Sequence, residues 1–73
     1  MTLAMLSTSN FDFVALGEDR EHAERVMRRA WAKHRQDYRA GWAFADVAEE
    51  VQYVEIHPGM ALRDGERLVG AVQ

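Results

Sequence analysis

A stretch without glycine or proline, Asp19 to Tyr38, most constrains what this chain of 73 residues can fold into. Its apolar residues, with one histidine, recur at steps of three and four: Ala23, Val26, Met27, Ala30, Trp31, His34 and Tyr38. At about 100° per residue these positions share one face, which is typical of an amphipathic α-helix. The stretch therefore predicts one long helix whose apolar face other elements must cover.

Charged residues along this stretch agree with a helix. Asp19 is the expected N-cap, because its carboxylate can accept a hydrogen bond from a free backbone N–H group of the first turn. Glu21 and Arg25 are four residues apart, as are Glu24 and Arg28, and in each pair the acid comes first. That order favours a weak surface ion pair. Local sequence therefore supports the helix independently of its apolar face.

Gly41 is the expected stop of this helix, because glycine readily takes the left-handed conformation at which many helices end. The following residues, 41–50, support two structures. One is a short helical turn over Phe44 to Glu49, and the other is an irregular loop. In either case Trp42 and Phe44 are a binding hot spot if they are exposed, or a lid if they cover the core.

Short strands are predicted on both sides of the helix. Thr2 to Ser7 and Phe11 to Leu16 flank the turn sequence STSN, which favours a hairpin over one long irregular strand. After the helix, Val51 to His57 reads as a strand and Pro58-Gly59 as a tight turn. Residues 60–63 and 66–69 then form a hairpin around the turn signal Asp64-Gly65.

These elements predict a single domain over residues 1–73 of the α+β class. We expect a two-layer sandwich in which one long helix packs on a small antiparallel-rich sheet of three or four strands, in a β-α-β-β-like order. Three helix residues, Val26, Met27 and Trp31, should pack on four strand residues: Phe11, Phe13, Val54 and Ile56.

The composition excludes several classes of protein. The absence of cysteine excludes a disulfide framework and a thiolate metal site, and it suits a reducing cytoplasm. The apolar run from Leu3 to Leu6 is too short for a secretion signal, and no segment approaches the roughly 20 apolar residues of a membrane span. We therefore expect a cytoplasmic protein without a membrane partner.

Charge is distributed unevenly along the chain. Residues 19–39 hold seven cations and four anions, a net charge of +3, whereas the remainder holds two cations and eight anions, a net charge of −6. A cationic helix on an acidic body favours oriented association with a charged partner.

Two surfaces are the candidate partner-binding sites. The first is the cationic outer face of the helix, opposite its apolar face: Arg25, Arg28, Arg29, Lys33 and Arg35. The second is an acidic hairpin edge: Glu55, Asp64 and Glu66. Each could instead be ordinary solvated charge. The helix face could contact nucleic-acid phosphates or an acidic protein, while the acidic edge could mimic nucleic-acid charge toward a basic groove.

No catalytic or metal-binding motif is present. His22 and His34 lie too far apart on one helix to share a metal, and His34 is expected at the edge of the core. Glu49 and Glu50 are sequence neighbours whose side chains should diverge, so they are not expected to act as paired carboxylates in hydrolysis. The sequence therefore predicts no enzyme, no catalytic residue, no cofactor and no metal.

Four segments, FDFVAL, GEDREHAERVMRRAWAKH, VQYVEIHPG and RDGERLV, follow one another in a short chain with this charge asymmetry. In size, charge and element order the chain resembles small phage and mobile-element proteins and is similar in style to anti-CRISPR proteins. The resemblance implies an inhibitor that acts by binding a nucleic-acid-targeting defence complex of bacteria.

The sequence thus predicts a small non-enzymatic binding protein that acts through a surface on a macromolecular partner. The sharper form is a phage-type inhibitor of a CRISPR-Cas complex. Two alternatives remain open. One is a small nucleic-acid-binding regulator that uses the basic helix face, and the other is a homodimer or larger assembly joined through an exposed edge strand such as 66–69.

Overall fold

A β-hairpin opens the fold, in a computed structural model that describes residues 1–39, 41–64 and 66–69. Strands β1 (Thr2–Ser7) and β2 (Asp12–Gly17) pair antiparallel. Thr8 holds the turn: its backbone N–H donates to the Phe11 carbonyl at 2.8 Å, and its hydroxyl accepts from the Phe11 N–H at 3.0 Å. The hairpin favoured by the turn sequence is confirmed.

The long helix α1 spans Arg20–Tyr38. The Asp19 carboxylate accepts a hydrogen bond from the His22 N–H at 2.8 Å, which confirms the predicted N-cap. The predicted stop at Gly41 is wrong, because Arg39 takes the left-handed conformation at φ 52°. The early end lets the chain double back, so that the Trp42 carbonyl accepts a hydrogen bond from the Trp31 indole at 2.9 Å.

The segment after α1 is helical. Helix α2 covers Phe44–Val47, and a 3₁₀ turn follows over Ala48–Glu50. The Asp46 carboxylate accepts a hydrogen bond from the Ala43 N–H at 2.9 Å, which satisfies a free donor at the start of α2. Of the two structures that the sequence left open here, the helical one is correct.

Strand β3 (Gln52–Glu55) pairs antiparallel with the free edge of β1, so the sheet order is β2-β1-β3. Helix α1 contacts β1 and β2 on one face of this sheet. Eight apolar residues are buried between them: Ala4, Leu6, Ala15, Ala23, Met27, Trp31, Phe44 and Val51. The α+β class, with one long helix against a small antiparallel sheet, is confirmed.

The predicted orientation of β3 is wrong. We expected Val54 and Ile56 to face the helix, but Val51 is buried and Tyr53 packs against the core instead. Ala4 lies opposite Tyr53 in the ladder and is fully buried. Residues directly opposite each other in a sheet point to the same face, so Tyr53 faces the helix and Val54 faces away.

The last two strands do not join this sheet. β4 (Ala61–Arg63) and β5 (Glu66–Val69) form a separate antiparallel pair, so the single sheet expected from the sequence is wrong. The tight turn after β3, with Gly59 at φ 92° and the Met60 N–H donating to the His57 carbonyl at 3.2 Å, starts the separate hairpin.

Candidate interaction surfaces

Three of the five predicted cations surround one depression on the outer side of α1. Arg25, Arg28 and Arg29 line it together with His22, around a volume of about 360 Å³. All three arginines are exposed. Their spacing of three and four residues brings them together on consecutive turns. Lys33 and Arg35 are also exposed on α1 but do not line this depression. We call the set of His22, Arg25, Arg28 and Arg29 the arginine face.

The charges of the arginine face are not equally neutralised. Arg28 contacts Glu24, with 3.3 Å between Nη2 and Oε2, and its guanidinium lies 4.7 Å from the centre of the Phe44 ring. Arg25, which the sequence predicted to pair with Glu21, forms no ion pair with any residue that the structure describes, and neither does Arg29. Two guanidinium groups on this face therefore remain open to solvent and to a partner.

The predicted acidic edge is divided between two sides of the molecule. Glu55 lies on the helix side of β3, where it accepts a hydrogen bond from the Thr2 hydroxyl at 2.8 Å and lies 3.5 Å from the N-terminal amine. Donation by Thr2 lowers the pKa of the Glu55 carboxyl below its ordinary value, and the charge of the terminal amine acts in the same direction. Glu55 is therefore engaged in holding β1 to β3.

The other two acidic residues belong to the β4–β5 hairpin. Asp64 takes the left-handed conformation at φ 51° in the turn, and Glu66 lies opposite Arg63 in the ladder. Asp64 lines a groove of about 530 Å³ with Met5, Val14 and other residues of the three-stranded sheet, on the side away from α1. Glu55 and Glu66 do not line this groove, so the groove brings none of the other predicted acidic residues to Asp64.

A cluster of five rings, centred on His34, was not predicted from the sequence as a unit. The centre of the His34 ring lies 5.0 Å from the ring centre of Phe11, 5.0 Å from that of Phe13, 5.1 Å from that of Trp31 and 5.2 Å from that of Tyr38. The cluster runs from buried Trp31 to exposed Tyr38. His34 is half-buried, as its expected place at the edge of the core implies. The sequence predicted that Phe13 would pack on Trp31, and the centres of their rings lie 5.4 Å apart. It did not predict that His34 and Tyr38 would join the strand aromatics in one cluster.

The two aromatic residues after α1 have different environments. Phe44 is buried in the core, whereas Trp42 is 66% exposed. Trp42 lies on a groove of about 400 Å³ between the β1–β2 turn and the segment that includes α2. We call it the tryptophan groove, and the side chains that define it are Ser7, Ser9, Trp31, Trp42, Asp46 and Glu50. Of the two predicted roles, Phe44 therefore has that of a lid over the core, whereas Trp42 is exposed.

Buried ionisable chemistry is sparse in the described part of the chain. Tyr53 has a pKa raised above its ordinary value, first by burial and then by the Glu24 carboxylate, which lies 3.5 Å from its hydroxyl. No group of three or more histidine, aspartate or glutamate side chains among the described residues could hold a metal ion. Over residues 1–39, 41–64 and 66–69, no helix has both the length and the apolar character that crossing a membrane requires.

Comparison with known proteins adds no assignment to these surfaces. No protein-family model, curated protein or solved structure matches the chain. The geometry and charge of the arginine face and the grooves are therefore the basis for inferring a function.

Proposed function

We propose that the protein is a non-enzymatic binding protein that docks the arginine face onto an acidic surface of a macromolecular partner. The observation that carries this proposal is the grouping of three exposed arginines around one depression, two of them without an ion pair among the described residues. A guanidinium group presents a rigid fork of N–H donors that matches a carboxylate. Such a surface suits oriented binding to an acidic protein.

The acidic remainder of the chain supports an oriented encounter. Residues outside 19–39 carry a net charge of −6, against +3 within that range. A partner with an acidic surface is attracted by the helix and repelled by the body, which selects one approach direction. The same acidity disfavours wrapping by a nucleic acid, and no aromatic residue lines the arginine depression to stack a base.

The sharper form of the proposal is an inhibitor of a bacterial CRISPR-Cas complex, acting in the cytoplasm. Its support is the resemblance in size, charge asymmetry and element order to anti-CRISPR proteins. In this form the arginine face covers an acidic protein surface of the effector complex. Nucleic-acid binding through the same arginines is the competing function, and it predicts a different set of ligands.

The test compares the wild-type protein with the double variant Arg25→Glu/Arg29→Glu. Binding to a panel of purified CRISPR effector complexes, with and without guide RNA, is measured by biolayer interferometry at two salt concentrations. We expect the double variant to weaken binding by at least about tenfold, because charge-assisted contacts contribute about 1.5–3 kcal/mol each. Higher salt should weaken the wild-type interaction.

Arg39→Glu/Arg63→Glu is the matched control, because it changes the net charge equally but leaves the arginine face intact. Equal loss in both double variants would mean that total charge, and not this surface, determines binding. If the wild-type protein binds none of the effector complexes, the proposal that it is a CRISPR-Cas inhibitor is overturned. A gel shift with duplex or single-stranded DNA that depends on Arg25 and Arg29 would support the nucleic-acid alternative instead.

A further inference from the structure

The tryptophan groove has a fixed floor. Trp31 is buried, and its indole N–H donates to the Trp42 carbonyl at 2.9 Å, so the core holds the backbone at the point where the exposed indole begins. Asp46 is likewise anchored, because one of its oxygens accepts from the Ala43 N–H. The Trp42 backbone and the Asp46 carboxylate are therefore held in place before a ligand binds, which lowers the entropic cost of binding.

The charge of the groove is acidic. Asp46 and Glu50 are both exposed, and neither forms an ion pair with another described residue. Among the residues that the structure describes, no lysine, arginine or histidine lines the groove. An anionic ligand such as a phosphate would be repelled by the two carboxylates, whereas a cation would be attracted to them. The acidic groove therefore favours a positively charged ligand.

The exposed indole of Trp42 indicates which kind of cation fits the groove. The face of tryptophan attracts a cation more strongly than any other aromatic ring does, and arginine is the protein side chain most often found there. Arginine also matches carboxylates through its planar fork of N–H groups. Trp42 and the carboxylates of Asp46 and Glu50 line the same groove, so one planar cation can meet both kinds of group.

We propose that the tryptophan groove binds an arginine side chain from a basic segment of a partner protein. The guanidinium plane stacks on Trp42, and its N–H groups donate to the carboxylates of Asp46 and Glu50. The hydroxyl groups of Ser7 and Ser9 supply polar contacts on the opposite wall, which the β1–β2 turn provides. This site is separate from the arginine face and has the opposite charge, so it does not depend on the proposed function.

The test is an NMR titration of the full chain with the blocked peptide Gly-Arg-Gly. The two tryptophans give two indole N–H signals, one from exposed Trp42 and one from buried Trp31. We expect the Trp42 signal and the Asp46 and Glu50 amides to shift in a saturable way. The same peptide with citrulline, the uncharged counterpart of arginine, should bind at least about fivefold more weakly, because it lacks the cation–π and ionic terms.

Substitutions in and beside the groove test whether the arginine peptide binds there. Trp42→Ala and Glu50→Gln should each weaken binding of the arginine peptide by about threefold or more. Glu49→Gln is the matched control, because Glu49 is an adjacent exposed acid that does not line the groove, and it should leave binding unchanged. The exposed position of Glu50 keeps the test valid if Trp42→Ala alters the loop.

Four results would overturn the proposal. The first is the absence of any saturable shift at the groove. The second is equal binding of the arginine and citrulline peptides, which would leave no role for the charge. The third is equal weakening by Glu49→Gln and Glu50→Gln, which would mean diffuse attraction to an acidic surface. A lysine peptide that binds as tightly as the arginine peptide would overturn the assignment to arginine.

Discussion

Gly17 is a residue at which the sheet approaches the helix closely. A Cβ atom there would lie 2.7 Å from the Ala23 Cα and 2.8 Å from the His22 carbonyl carbon, both backbone atoms of α1. Neither can move without shifting the first turns of the helix. We therefore expect Gly17→Ala to lower the free energy of unfolding by about 1–3 kcal/mol or more, as overpacking does in other cores. Urea unfolding followed by far-UV circular dichroism measures this.

Gly41→Ala provides the control for the same chemical change. A Cβ at Gly41 meets nothing within 4 Å. We expect this variant to change the free energy of unfolding by no more than about 0.5 kcal/mol, as exposed substitutions usually do. Equal effects of the two substitutions would show that the close approach at Gly17 is relieved at little cost. In the sequence Gly17 lies between the predicted strand, which ends at Leu16, and the predicted helix, which begins at Asp19, and nothing there shows that Ala23 would pack against it.

At the scale of elements, α1 ends on a residue that is poorly suited to its conformation. Arg39 has a positive φ of 52°, which places its Cβ close to its own backbone, whereas glycine has no such penalty. We expect Arg39→Gly to raise the free energy of unfolding by up to about 1 kcal/mol, measured by urea unfolding.

The same substitution inside the helix should have the opposite sign. Arg29 is exposed in the middle of α1 and forms no ion pair with a described residue, so Arg29→Gly should cost about 1 kcal/mol from helix propensity alone. If Arg39→Gly is as destabilising as Arg29→Gly, the contacts of the Arg39 side chain contribute more to stability than relief of its positive φ does.

The elements differ in how well the sequence predicted them. Helix α1 was predicted closely, because its apolar positions repeat on one face and one N-cap is strongly favoured. β3 was assigned the wrong face, because Val51 and Tyr53 alternate with Val54 and Ile56 and both sets are apolar. Pairing with β1 decides between them, and pairing is a long-range property that local alternation does not contain.

The candidate surfaces, like the strands and helices, could be predicted only in part from the sequence. The arginine face follows from helical spacing, so Arg25, Arg28 and Arg29 could be grouped from the sequence. The opposite environments of Trp42 and Phe44 could not, because they depend on where the early end of α1 directs the chain. The hydrogen bond from Trp31 to Trp42 fixes that direction, and it joins residues on two different elements.

At the scale of the whole molecule, the described core lies entirely before the β4–β5 hairpin. The buried apolar residues run from Ala4 to Val51, and none of those described belongs to β4 or β5. On the side of the sheet away from α1, Val14 and Leu16 remain 65% and 45% exposed. The described part of the molecule therefore consists of a helix-on-sheet body, which holds both proposed sites, and a hairpin whose described side chains lie outside the core.

We accordingly expect a chain shortened to residues 1–60 to keep the fold of the body. Few buried apolar contacts would be lost, so the free energy of unfolding should fall by about 1 kcal/mol or less. Cooperative urea unfolding, followed by the fluorescence of Trp31 and Trp42, measures this. The shortened chain should also bind the Gly-Arg-Gly peptide as the full chain does, since no described residue beyond Glu50 lines the tryptophan groove. Loss of the cooperative transition would contradict this division, because it would mean that the body depends on the hairpin to cover the outer side of its sheet.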